Sequence, residues 1–172
     1  MKKLLIFIIT TSFLIGLSSC SFVDGKNRQA GKDPASNENL EGSLEEILDK
    51  IYETANLEDS FREWIQDGLM LTEISEENCE NYFGTKVEFE SGIASEPIMM
   101  PSAYLLCLIR VNEGADIEKI KAEIKEKADP MRWICVGVDP SNIYVSNVGD
   151  VIMLVMSDEA GKELNDAFLA LK

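Results

Sequence analysis

The side chains able to do chemistry in this chain are four cysteines and 31 carboxylates; histidine is absent. Without histidine the commonest general base and the commonest zinc ligand are missing. Hydrolases built on a Ser-His or Cys-His pair are thereby excluded. The cysteines must be read by their settings, and Cys20 stands apart from the other three. Met1-Lys2-Lys3 gives a short cationic start, Leu4 to Leu17 is an almost unbroken apolar run, and Ser18-Ser19 are small. That is the layout of an export signal. As a helix the run reaches about 21 Å at ~1.5 Å per residue. A bilayer core is ~30 Å thick, so a permanent transmembrane helix is the weaker reading.

Leu17-Ser18-Ser19-Cys20 resembles the lipobox of bacterial lipoproteins. The resemblance implies that the Cys20 sulfur takes a diacylglycerol and that a signal peptidase cuts just before it. Small side chains let the extended backbone fit the peptidase cleft, and only a thiol gives the thioether. The competing reading is an ordinary secretory signal with a chance cysteine. One acyl chain binds a membrane marginally, whereas two anchor stably. Residues 1–19 are then a signal peptide. The mature chain is expected on the extracytoplasmic face of the cell membrane, held there by the lipid on Cys20.

Cys79, Cys107 and Cys135 remain, so at most one intramolecular disulfide can form, by one of three pairings. Cys107 lies in Tyr104-Leu105-Leu106-Cys107-Leu108-Ile109 and Cys135 in Trp133-Ile134-Cys135-Val136. Both settings predict buried, apolar-packed thiols. No C-x-x-C occurs, and neither a metal site nor a cofactor is expected. G-x-S-x-G, S-x-x-K, G-x-G-x-x-G, P-loop and H-E-x-x-H motifs are also missing. No catalytic residue can be assigned, because 31 acids offer too many pairs to choose a glycosidase-like one among them.

The whole chain carries a net charge of −15, with 16 basic and 31 acidic residues. Losing Lys2 and Lys3 with the signal takes that balance from −15 to −17. Such acidity argues against nucleic acid and against an anionic membrane surface as partners. A solvated surface accounts for it, and it leaves room for a basic partner. No EF-hand loop is present.

Two places are candidates for binding. Ile98-Met99-Met100, between Pro97 and Pro101, would be an adaptable hydrophobic loop if exposed. If buried, it is the lead-in to a central strand. Arg132 and Trp133 would make a stacking or anion-binding pair. The plainer alternative is a core tryptophan beside a solvated arginine.

These residues must be positioned by one domain, residues 43–172, long enough for a real core. Residues 20–42 form the lipidated cysteine and a tether rich in Ser, Asn, Gly and charge, without apolar period. A chain of that length reaches roughly 25 Å. Ser43 with Glu46 makes a capping box ahead of a helix burying Leu44, Ile47, Leu48, Ile51 and Ala55. A second short helix runs from Asp59 to Gln66, ending near Gly68. Leu69 to Ile74 predicts an edge strand, and Glu76 to Phe83 a short helix stopped by Gly84. Val87 and Phe89 alternate with charge and predict a strand, whereas Ser91 to Ser102 reads as a loop or irregular strand.

Ala103 to Val111 is nearly all apolar, as a central strand covered on both faces should be. Asp116 caps a helix over Ile117, Ile120, Ile124 and Ala128. Met131 to Val138 predicts a strand, with a helical turn as the alternative. Ile143 to Val145 and Val151 to Met156 form a hairpin, and Ser157 or Asp158 caps a last helix over Ala160, Leu164, Phe168 and Leu171. The fold expected is α+β: an antiparallel or mixed sheet of about four to five strands with helices packed mainly on one face.

Asp129-Pro130-Met131-Arg132-Trp133-Ile134-Cys135-Val136, the Gly149-Asp150-Val151-Ile152 hairpin and the lipobox together resemble uncharacterised lipoproteins of Firmicutes. These carry a small C-terminal domain of unknown function. The resemblance implies a Gram-positive envelope and brings no activity. The functional expectation is a lipid-anchored binding or assembly module with a protein or small-molecule partner. A transporter's solute-binding component and a carboxylate-dependent envelope enzyme are the alternatives; for the first, a single ordinary domain is small.

Overall fold

A computed structural model describes residues 39–171. Helix α1 spans Leu44–Thr54 and α2 Asp59–Gly68; strand β1 spans Leu69–Glu73, α3 Cys79–Phe83, β2 Ser91–Pro97 and β3 Leu105–Arg110. Then come α4 (Ile117–Lys127), β4 (Ile143–Val148), β5 (Val151–Met156) and α5 (Gly161–Leu169). The five strands make one open sheet in the order β1-β2-β3-β5-β4, with every neighbouring pair antiparallel. The class is α+β, as the element pattern predicts. The signal and Cys20 lie outside the described residues, as does most of the tether.

The apolar runs explain the layering. In β3, Leu106 and Leu108 enter one core, while Leu105, Cys107 and Ile109 enter the other. In β5, Val151, Met153 and Val155 go to the first side and Ile152, Leu154 and Met156 to the second. Side chains alternate along a strand, so only a strand buried on both faces can be apolar at every position. Three helices, α1, α2 and α5, pack over the first face, and α3 and α4 over the second. The larger share of helix lies on one face, but the other is covered as well.

Local signals behave as the residue types dictate. Ser43 Oγ accepts the Glu46 N–H while the Glu46 carboxylate accepts the Ser43 N–H, which completes the capping box. Asp116 accepts the Lys119 N–H at the start of α4, and Ser157 Oγ accepts the Ala160 N–H ahead of α5. Gly84 ends α3 at φ 67°. Gly149 (φ 54°) and Asp150 close the β4–β5 hairpin.

Three expectations are corrected. The strand expected at Val87 to Phe89 is irregular chain, and the ladder forms at β2, where a loop or irregular strand was the reading. Ser-Gly-Ile-Ala-Ser-Glu-Pro has low strand propensity, yet β2 is held between two neighbours, and pairing outweighs propensity. A Cβ at Gly92 would lie 3.0 Å from both Ile109 and Ile74, so this small residue permits the close approach. Met131 to Val138 is neither strand nor helix. Its chain turns back so that the Val138 N–H reaches the Pro130 carbonyl at 3.0 Å. Within that loop Cys135 is exposed at φ 66°, not buried as its apolar neighbours predict. Cys107 is buried, and Cys79, Cys107 and Cys135 are all free thiols.

Candidate functional site

The Ile98 to Met100 segment leaves the end of β2, and Arg132 packs against Glu96 in that strand. The Gly68 carbonyl accepts the Ile98 N–H at 2.9 Å, so pairing continues one step past Pro97. Ile98, Met99 and Met100 then leave the sheet with 56%, 76% and 52% of their surfaces exposed. The exposed-loop alternative is therefore the one the fold adopts. Arg132 packs against β2 on the side of the second core. Its guanidinium lies 5.0 Å over the Tyr82 ring and 5.8 Å from the Trp133 ring, with Nη2 3.9 Å from Glu96 Oε2. Glu96 Oε1 accepts hydrogen bonds from Tyr82 and Thr72, each at 3.0 Å.

Arg132 and Trp133 do not act as an open pair. Trp133 is buried in the second core, and Arg132 is largely covered, with Nη1 buried and without a hydrogen-bond partner among the described residues. The Glu96 carboxylate beside the guanidinium offsets its charge, so an incoming anion meets little net attraction. Burial, the hydrogen bond to Glu96 and the Glu96 charge push the Tyr82 hydroxyl up to about 12. A hydroxyl so held donates a hydrogen bond at neutral pH and is no base. This cluster pins the loop after Pro130 onto α3 and β2; its chemistry is positioning.

The sequence pattern left out the neighbours of the exposed loop. Met70 and Leu71 on β1 are 47% and 48% exposed. The pattern of Leu69 to Ile74 marks an edge strand, but periodicity alone does not distinguish its apolar side chains as packed or open. Met131 and Ile134 are also exposed.

At the opposite face, Phe61, Trp64 and Tyr104 cluster with centroids 5.3–5.7 Å apart, Tyr104 edge to face with the other two rings. They line an open groove of about 450 Å³ with Pro101, Ser157, Asp158 and Glu159. Beneath it the Tyr52 and Tyr104 hydroxyls lie 2.7 Å apart, and Tyr52 donates to Ser95 Oγ at 2.8 Å. Burial raises both tyrosines above the ordinary range. Asp158 is already engaged, accepting from the Asp139 N–H and from Asn142 Nδ2, each at 2.9 Å. The groove is thus the seam between α2 and the start of β3, held by aromatic contact.

Among the described residues, no three His, Cys, Asp or Glu side chains converge into a group that would hold a metal, and no helix is long and apolar enough to cross a membrane. Family models, curated proteins and solved structures gave no match to this chain.

Proposed function

We propose that this chain is a lipid-anchored binding and assembly module. It works on the extracytoplasmic face of the cell membrane and engages a protein partner through Ile98, Met99 and Met100. The observation that carries this reading is the exposure of those three consecutive side chains on a domain of strongly acidic composition. Large apolar side chains grouped on a surface are a mark of a contact site. Methionine suits one, because its unbranched, polarizable chain adapts to the partner's shape. The lipobox at Cys20 supports the location, and the tether supports reach above the headgroups.

The test is crosslinking in intact cells, then capture from detergent-solubilised membranes and mass spectrometry. A stoichiometric partner recovered with the wild type and lost with Met99→Ser/Met100→Ser is the expected result. Recovery of the wild type alone, under conditions that crosslink other surface proteins, defeats the reading.

A further inference from the structure

The two edges of the sheet are not equivalent. At the β4 edge, Lys125 Nζ donates to the Ile143 carbonyl and Lys121 Nζ to Asn147 Oδ1. Both lysines reach over from α4, and covering an edge with a helix is a device against further pairing. β1, Leu69-Met70-Leu71-Thr72-Glu73, has no lysine bonded to it among the described residues. The ladder fixes which of its backbone groups are open. Ile98 N–H donates to the Gly68 carbonyl and Ile74 N–H to the Gly92 carbonyl, so residues 68, 70, 72 and 74 are the ones bonded to β2. In an antiparallel pair the alternate residues point their N–H and C=O groups away from the partner strand. Those residues are Leu69, Leu71 and Glu73. Asn78 Nδ2 takes the Glu73 carbonyl at 3.1 Å and closes that end.

The outer row of β1 is thus a short strand template flanked by exposed apolar side chains, Met70 on one face and Leu71 on the other. Its charge is of one sign. Asp67 precedes it, and Glu73, Glu76 and Glu77 follow, all exposed. A second copy would bring another strongly negative chain and the same carboxylates against them.

We propose that β1 is a strand-addition site for an extended, basic, alternately apolar segment of a partner protein. That segment would lie antiparallel to β1. Its backbone would bond Leu69, Leu71 and the Glu73 N–H, its apolar side chains would sit beside Met70 or Leu71, and its cations would meet Asp67 and Glu73. This rests on the binding-module reading and names the chemistry of the partner.

The test uses the full lipidated chain in detergent micelles and a capped ten-residue peptide of alternating lysine and valine. A glutamate–valine peptide of the same pattern and an N-methylated lysine–valine peptide are the controls. The lysine–valine peptide should bind at least tenfold tighter than either control and weaken with salt. It should slow amide exchange at Leu71 and Glu73 at least tenfold while Met70 and Thr72, already bonded to β2, stay unchanged. Leu71→Lys should cut binding at least tenfold. So should Leu71→Pro, which removes an outward N–H that the β1–β2 ladder does not use; if that variant fails to fold, Leu71→Lys decides.

Binding without protection at Leu71 and Glu73, or undiminished in Leu71→Lys, overturns the proposal. So does a concentration-dependent dimer in the ultracentrifuge that Leu71→Lys abolishes, since the edge then belongs to a second copy. A cellular partner lost with Met99→Ser/Met100→Ser but kept by Leu71→Lys leaves the binding module standing and removes strand addition. No partner and no peptide binding with the wild type removes both.

Discussion

Arg110 at the end of β3 and Asp150 in the β4–β5 turn meet at 2.6 Å, and the same guanidinium holds the start of the domain. Arg110 Nη1 donates to the Leu40 carbonyl at 3.0 Å and Nη2 to the Gly42 carbonyl at 2.9 Å. Both side chains are more than four-fifths covered, so the pair is only partly screened by water. The Asp150 carbonyl also accepts the Val111 N–H at 2.9 Å. One arginine therefore fastens the segment ahead of α1 to the end of the sheet.

Arg110→Ala should lower unfolding stability by about 2–4 kcal/mol, because it removes three charge-assisted bonds and leaves a covered carboxylate unpaired. Asp150→Asn should cost less, about 1–2 kcal/mol, since the carbonyl contacts of Arg110 survive. Urea denaturation measures both. Equal losses would mean that the bonds to Leu40 and Gly42 contribute nothing.

Stability should fall on the alkaline side. Burial raises the Tyr82, Tyr104, Tyr52 and Cys107 acids above their ordinary values, with Tyr82 pushed up to about 12. A raised value means that the folded chain keeps a proton the unfolded chain has lost. The contribution is complete below the unfolded value and disappears as pH climbs through the folded one. Urea midpoints should therefore be level up to about pH 8 and decline beyond it, through the range where unfolded thiols and then phenols ionise. Tyr82→Phe should make the decline shallower. A flat profile to pH 11 would contradict the buried tyrosine contacts.

Much of this fold is legible in the residue order because it depends on local, periodic signals. Continuous apolar runs mark β3 and β5 as doubly covered, and Ser43, Asp116 and Gly84 mark helix ends through backbone bonds a few residues away. What is not legible depends on pairing across the chain. β2 carries glycine, serine and proline and becomes a strand only because β1 and β3 flank it. The loop after Pro130 has a strand's composition, but Arg132 is drawn to Tyr82 and Glu96, far away in sequence, and the chain turns back. The Ile98 to Met100 site is legible by type and only the fold decides its exposure. The open edge at Leu71 needs the ladder register.

Gly84 should tolerate no side chain. A Cβ there would stand 2.0 Å from the Lys127 carbonyl at the end of α4, and φ is already positive. The clash falls on backbone, which cannot swing aside, so strain adds to the left-handed penalty of ~1–3 kcal/mol. Gly84→Ala should cost more than about 3 kcal/mol by denaturant unfolding, whereas Gly114→Ala, with nothing within 4 Å of its Cβ and a similar φ, should cost only the conformational part. Similar losses at the two sites would show that α3 and α4 do not approach this closely.

Thiol chemistry should separate the three domain cysteines. Cys135 is exposed, while Cys79 and Cys107 are buried and burial pushes the Cys107 thiol up, away from the reactive thiolate. Iodoacetamide on the native protein, read by peptide mapping, should label Cys135 and spare the other two until denaturant is added. Cys107→Ser should destabilise by about 1–3 kcal/mol, since it places a hydroxyl in an apolar layer. Rapid native labelling of Cys107 would mean that the centre of the sheet opens readily.

The anchor is tested on Cys20, where only a thiol serves. Cys20→Ala should abolish incorporation of a labelled fatty acid. The uncut precursor should accumulate, or an unlipidated chain should appear in the medium. Cys20→Ser is the stricter variant, since it keeps a nucleophilic oxygen of nearly the same size and still cannot give the thioether. Both variants should leave the domain's melting temperature unchanged, because the two cores described are built from Leu40 onward. If Cys20→Ser fractionates with membranes as the wild type does and neither chain carries label, lipidation at this residue is wrong. The export signal would then have to retain the chain, and the apolar run of Leu4 to Leu17 would be its membrane anchor despite its length.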